Sequence, residues 1–424
     1  MGFPFAVAFL LLTTVVGVSA KPVPNPSPLV ALRIASACST WRHLSTLHES
    51  GTRVAAGLAG RFSSTSDTHL GYWTERFGNE AFSEGDGFDG IAAWSRDRSG
   101  ASHTLNSSDA LALAATDAWL ARRGWCSQDN ERATIVNVGL RRDGDRMFDI
   151  IVATPRGGAP VTVWIDHASH LLDRTVAQLN ETRRIEHFSD WRTVDGTVIA
   201  FERDIEYPED ESVERLTVTR ADSTSALSAS AFSAPRTSKD VRFNGNSTET
   251  QVRYTLEGRP IIEVRVNGQG PLPFAVDTGG HFIITAATAH RLGLAVQGSA
   301  NNLGQGEGIL KAGFAHVRSV RIGSAVMTDQ VAKILPYRFR KVERGPRQPI
   351  AGWLGLEFFE RFAITFNPKT HLLTLRQLHR PRPERPGTRV ALYFDEDAPL
   401  IKCAVYAIPG ILHGGHWKHD GNYR

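Results

Sequence analysis

Phe274-Ala275-Val276-Asp277-Thr278-Gly279-Gly280 closes one apolar run and opens a turn. Upstream, residues 260–266 (PIIEVRV) alternate and are β-branched, Asn267-Gly268-Gln269-Gly270 is turn material, and 272–276 is a second apolar run. This pattern predicts a hairpin that ends on an acid. The Asp277 carboxylate is then expected near a buried wall, with the Thr278 hydroxyl beside it and glycines that allow close backbone approach. Downstream, 282–284 reads as a short strand and 285–292 as a helix. The glycine-rich run Gly304-Gln305-Gly306-Glu307-Gly308 suits the tip of a hairpin.

Asp277-Thr278-Gly279 in this setting resembles the catalytic loop of the pepsin and retropepsin aspartic proteases. Residues 301–313 fall where that family keeps its flap, and Ile350-Ala351-Gly352-Trp353-Leu354-Gly355 resembles the segment that backs the catalytic loop. The ordered set continues through Leu356-Glu357-Phe358-Phe359 and strands at 362–367 and 372–376, and it is similar to the lobe of exported bacterial proteases. The resemblance implies roles. Asp277 would be one half of a catalytic dyad, Thr278 would hold the loop, and Gly279 would admit close backbone approach. Gly304, Gly306 and Gly308 would belong to a flap over the substrate, with Trp353, Leu354 and Gly355 behind the loop. The competing reading is an Asp-Gly turn in an unrelated β-protein.

Proteolysis of this kind needs two carboxylates sharing one proton, because like charges so close cannot both ionise. It needs no metal, cofactor or covalent intermediate. A second acid must come from a second copy in a homodimer or from a second lobe. Residues 390–409 (VALYFDEDAPLIKCAVYAIP) look like strands approaching another such loop, whereas 411–424 carry no strand pattern. In another reading frame the tail codons permit Val-Asp-Thr-Gly, so a frameshift that removed a second lobe is expected.

The 424 residues carry 48 Lys and Arg against 44 Asp and Glu, an ordinary balance that predicts two or three domains rather than disorder. Residues 3–18 are almost wholly apolar and end at Val18-Ser19-Ala20, a small-residue cleavage pattern, although no Lys or Arg precedes them. They read as a signal peptide, so the mature chain is expected to be exported, periplasmic or secreted, with no stable membrane span after cleavage. The basic stretches 338–347 and 379–389 do not interleave aromatics as a nucleic-acid face would, which argues against a nucleic-acid partner. Three cysteines cannot form a framework; Cys38 with Cys126 is one option for a single disulfide in an oxidising compartment.

The expected fold class is mainly β (α+β): an antiparallel half-barrel with a helix, then a retropepsin-like β-barrel lobe. Residues 1–20 form the signal peptide and 21–30 a Pro-rich spacer. In 31–222 one helix, 109–123, is capped by Ser107 or Ser108 and closed by Gly124. Strands are expected at 133–140, 147–154, 161–165, 171–179, 182–191, 198–205 and 212–218. This segment resembles the LolA-like lipoprotein-carrier fold through Gly87-Phe88-Asp89-Gly90 with Trp94, through Val163-Trp164-Ile165-Asp166, and through the run from Phe188 to Gly196. A Ser, Ala and Thr-rich linker at 223–250 follows, then the protease lobe at 251–380 and the start of a truncated second lobe with an aberrant tail at 381–424. The expected function is an aspartic endopeptidase acting on peptide or protein substrates. The alternatives are an inactive truncated product and an exported binding protein whose half-barrel takes a lipid or peptide.

Overall fold

The computed structural model describes residues 26–127, 133–179, 182–235, 239–278, 280–304, 308–336, 349–378, 388–395, 398–405, 408–413 and 416–419. The first element corrects an expectation. Residues 28–30 are not extended spacer but the start of helix α1 (Pro28–Ala35), capped by Ser27, whose hydroxyl accepts from the Val30 amide at 3.4 Å. Proline suits the first helical turn because its missing N–H would have no partner there anyway. Helix α2 (Cys38–Trp41) follows at once.

A thirteen-stranded antiparallel sheet then forms from two meanders. The first runs through β1 (Thr46–Ala55), β2 (Leu58–Asp67), β3 (Trp73–Gly78), β4 (Ser83–Phe88), β5 (Ala93–Arg96) and β6 (Ser102–Leu105). After helix α3 (Ser108–Ala121) come β7 (Ala133–Asp143), β8 (Arg146–Pro155), β9 (Val161–Asp166), β10 (Leu172–Leu179), β11 (Thr182–Val194), β12 (Thr197–Tyr207) and β13 (Ser212–Thr224). The meanders join where β1 pairs with β13. Helix α3 is shorter than the pattern predicted. Ser107 caps it, accepting from the Ala110 amide at 3.0 Å, and Ala110, Ala114 and Ala118 bury one stripe. The chain reverses at Arg123, which takes φ 50°, not at Gly124. Gly124 is needed for another reason: a Cβ there would lie 1.9 Å from the Trp119 indole nitrogen.

The face of the sheet under the helices gathers Phe62, Phe77, Val161, Val163, Ile165, Leu216 and Val218 with Trp41, Trp119 and Trp125. Cys38 and Cys126 are bonded, with Cα atoms 5.0 Å apart across 88 residues of sequence, which ties α2 to the turn after α3. The same face also carries charge. Glu49 pairs with Arg203, Arg184 with Asp117 of α3, and Arg53 with Glu75 at 3.1 Å and with Glu214. Antiparallel register puts Glu49, Ser64, Glu75 and Asp86 in one row across β1 to β4.

The second body comprises β14 (Val241–Phe243), β15 (Glu249–Arg253), β16 (Thr255–Leu256), β17 (Pro260–Val266), β18 (Gln269–Val276) and β19 (Ile283–Thr285). It continues through α4 (Ala286–Arg291), β20 (Gln297–Gly304), β21 (Gly308–Ile322), β22 (Ala325–Leu335), β23 (Gly352–Leu354), α5 (Leu356–Phe359), β24 (Phe362–Asn367) and β25 (Leu372–Gln377). One sheet of nine strands and one of three enclose a core that includes Val264, Phe274, Ile284, Val317, Leu354 and Phe358. Much of the stretch expected as linker is bound to these bodies. The buried Phe232 carbonyl accepts from Trp94 Nε1 at 2.8 Å, β14 pairs with β22 and β15 with β25. Low periodicity hid these strands because each is short and pairs with a partner far along the chain.

A separate four-stranded sheet comprises β26 (Tyr393–Asp395), β27 (Ala398–Val405), β28 (Ile408–His413) and β29 (His416–His419). Within the tail expected to lack strands, 414–415 and 420–424 lie outside the described residues, while 411–413 and 416–419 pair in this meander. Its first strand docks on the thirteen-stranded sheet: Phe394 N donates to Asn106 Oδ1 at 2.7 Å, and Asn106 and Ser107 amides donate to the Phe394 carbonyl at 3.1 and 3.0 Å. Part of the seam between the first two bodies is ionic. Arg361, 1% exposed, donates through Nε to Asp240 at 2.6 Å and through Nη1 to Asp97 at 3.0 Å. Beside it His103 meets Glu360 at 2.6 Å. Burial pushes the Glu360 carboxyl up to about 7.

Candidate active site

The hairpin β17–β18 turns at Asn267-Gly268, where both residues have positive φ (51° and 81°), a conformation that Asn and Gly adopt most readily. Its register pairs Ile261 with Ala275 and Ile262 with Phe274, so Asp277 leaves the end of β18 just after the buried Val276. Strand β23 runs parallel to β18, with Phe274 beside Gly352, Ala275 beside Trp353 and Val276 beside Leu354. The Asp277 amide donates to the Leu354 carbonyl at 3.1 Å. Residues predicted to back the loop thus lie directly behind it.

Two further contacts fix the turn after Asp277. A Cβ on Gly355 would sit 1.9 Å from the Gly280 carbonyl oxygen, and the Leu356 amide donates to that same oxygen at 2.6 Å. Glycine at 355 is therefore a steric requirement of the loop. Glu357, buried, accepts from the Phe282 amide at 2.7 Å and meets His281 Nδ1 at 3.1 Å. One carboxylate on α5 thereby holds the strand that leaves the loop. Thr285 caps α4 and its amide donates to the Ala351 carbonyl at 3.0 Å, which closes the frame around Asp277.

The Asp277 carboxylate itself is not against a buried wall. Its side chain is 41% exposed, and Oδ2 accepts from Arg259 Nη1 at 3.2 Å. Arg259 was not among the residues that the sequence singled out, yet a signal existed. In the β17–β18 register beyond the shift at Val264/Val266, paired residue numbers sum to 536, which continued past the strand ends sets 259 opposite 277. Glu357 was missed as a partner because its contacts span about 75 residues of sequence. Thr278 is exposed, and Gly279 lies outside the described residues. In the expected flap, β20 and β21 pair as a hairpin in which Gly304 opposes Gly308, while Gly306 lies outside the described residues.

Residues 262–358 match the family model described as aspartyl protease. No curated protein matches. Among solved structures, the putative outer membrane lipoprotein-sorting protein domain from Vibrio parahaemolyticus is 11% identical, covering 48% of this chain and 95% of its own, with a TM-score of 0.34. A LolA superfamily protein from Nitrosomonas europaea gives 11%, 49%, 96% and 0.34 for the same measures. A retropepsin-like aspartic protease from Rickettsia conorii is 21% identical, covers 34% of this chain and 98% of its own, and has a TM-score of 0.23. The matched segment runs from the hairpin that carries Asp277 to the helix that carries Glu357, so the loop and everything that braces it fall within the aspartyl-protease model.

Proposed function

We propose that this chain is an exported aspartic-type endopeptidase in which Asp277 supplies one of the two carboxylates. The observation that carries this reading is the bracing of the Asp277 loop by β23 and Gly355 inside the segment that matches the aspartyl-protease model. In the assembled dyad the ionised carboxylate takes a proton from a water, and the protonated one polarises the scissile carbonyl. The water oxygen bonds to the carbonyl carbon. On collapse the C–N bond breaks and a proton passes to the leaving amine. Thr278 and Gly279 belong to the loop, the β20–β21 hairpin is the flap, and a second copy of the chain or another lobe brings the second carboxylate. Substrates are peptides or proteins. Residues 1–20 act as an export signal, and among the described residues no helix is long and apolar enough to cross a membrane.

Arg259 must yield its place at Oδ2 when the second carboxylate arrives. An ion pair this exposed is worth roughly 0–1 kcal/mol, so assembly can displace it. The binding-protein reading has less to support it, because the helix-covered face of the first sheet holds Glu49, Arg53, Glu75, Arg184 and Arg203 in ion pairs, a poor lining for an aliphatic chain. The test is hydrolysis of a fluorogenic peptide library between pH 3 and 7. Cleavage with an acidic optimum that vanishes in Asp277→Asn is expected, and cleavage that survives the substitution removes Asp277 from the mechanism.

A further inference from the structure

Among the described residues, strand β20 is the edge of its nine-stranded sheet and its outward N–H and C=O groups have no strand partner on that side. The first sheet supplies partners instead. The Ser299 amide donates to the Ala56 carbonyl at 2.7 Å, and Asn301 Nδ2 donates to the carbonyls of Asp210 and Glu211 at 2.7 and 2.8 Å. Lys311 on β21 donates to Asn301 Oδ1 at 2.5 Å, which orients the amide.

The geometry on both sides is unusual in a way that serves this contact. Ala56 and Glu211 have φ 52° and 47°, left-handed conformations that side chains with a Cβ seldom adopt, and each points its carbonyl at β20. On β20 the pairing with β21 slips between Gln297 and Ala300, a bulge that turns the Ser299 amide outward. Gly298, at φ +72°, permits the approach, since a Cβ there would lie 2.8 Å from Leu58 Cδ1 and 3.0 Å from the Ala56 oxygen. Below the clasp, Phe314 of β21 is buried in the first sheet's core, 4.8 Å from Phe82, and the Arg98 guanidinium lies 5.1 Å from both rings.

We propose that the first sheet is a positioning element of the peptidase site: it grips strand β20, and with it the base of the flap hairpin, through Asn301 and the Ser299 amide. This rests on the reading of β20–β21 as the flap. Local strain collects where a structure is constrained for function, and here it collects at Ala56 and Glu211, two of the three residues whose carbonyls hold the strand. Asn301 touches no reacting atom; it acts through the placement of the hairpin.

The test is hydrogen exchange followed by mass spectrometry on the full chain, paired with peptide kinetics. In the native protein the Ser299 amide is expected to be protected. Asn301→Ala removes the two bonds to the Asp210 and Glu211 carbonyls and the one from Lys311, and exchange across 297–304 should quicken by about tenfold or more while β17 and β18 keep theirs. Gly298→Val, which cannot seat against Leu58, should do the same by a separate route. In kinetics, Asn301→Ala should raise KM severalfold at nearly constant kcat, a split that general destabilisation does not produce. Unprotected Ser299 in the native chain, or equal exchange in the native chain and both variants, overturns the clasp. Faster exchange with unchanged KM overturns its role in positioning. If neither the native chain nor Asn301→Ala cleaves any peptide, the peptidase reading fails and the positioning role with it, while the exchange result still decides whether the sheet grips β20.

Discussion

Two arginines in this chain each bind carboxylates, and they could hardly be more different. Arg361 is 1% exposed and joins Asp97 and Asp240, both 9% exposed, at 3.0 and 2.6 Å. Arg259 is 40% exposed and reaches Asp277, 41% exposed, through one bond of 3.2 Å. The first is desolvated on all sides and saturated with partners, so it cannot rearrange without loss of the seam. The second sits in water at the end of a strand, where the pair can open at little cost. Similar chemistry thus holds two bodies together in one place and leaves the Asp277 carboxylate accessible in the other.

The contrast can be broken from its strong side first. Arg361→Ala leaves Asp97 and Asp240 buried without their cation, and about 3–5 kcal/mol of stability should be lost in chemical denaturation. A loss below about 1 kcal/mol would mean that the seam is wet. Next comes pH. Burial raises the Glu360 carboxyl to about 7, so between the ordinary carboxylate value and 7 the folded chain holds a proton that the unfolded chain has released. Stability should therefore fall as pH rises through that window, by up to about 3 kcal/mol, and Glu360→Gln should flatten the slope. An unchanged slope would assign the dependence to other groups. The smallest effect belongs to the exposed pair. Arg259→Gln should change stability by less than about 1 kcal/mol, while affinity for a statine-type peptide rises because Oδ2 is no longer occupied. Weaker binding in that variant would make Arg259 a ligand contact instead.

What the sequence made legible follows the range of the interactions. The hairpin that delivers Asp277 could be read because its alternation, its Asn267-Gly268 turn and its apolar ends lie within 17 residues, from Pro260 to Val276. Strands β7 to β13 were legible for the same reason, as regular alternation between short turns. Strands β1 to β4 carry only loose alternation: a stretch such as Ser63-Ser64-Thr65-Ser66 of β2 has little apolar pattern and is fixed by pairing with β1 and β3, and β1 in turn by the distant β13. Helix α1 hid inside a proline-rich stretch. The expected backing of the loop by Trp353, Leu354 and Gly355 could be read from the family resemblance, but its physical reason, the 1.9 Å approach to Gly280, needs coordinates. Contacts such as Arg361 with Asp97, 264 residues apart, leave no local trace at all.

The central claim is that Asp277 is half of a carboxylate dyad, and a statine-type inhibitor tests it most directly, because its hydroxyl occupies the position of the attacking water. Calorimetric titration at mildly acidic pH should show binding that weakens by at least about a hundredfold in Asp277→Asn, as expected when a transition-state mimic loses the group it was built for. Equal affinity in the native chain and in Asp277→Asn would contradict the account.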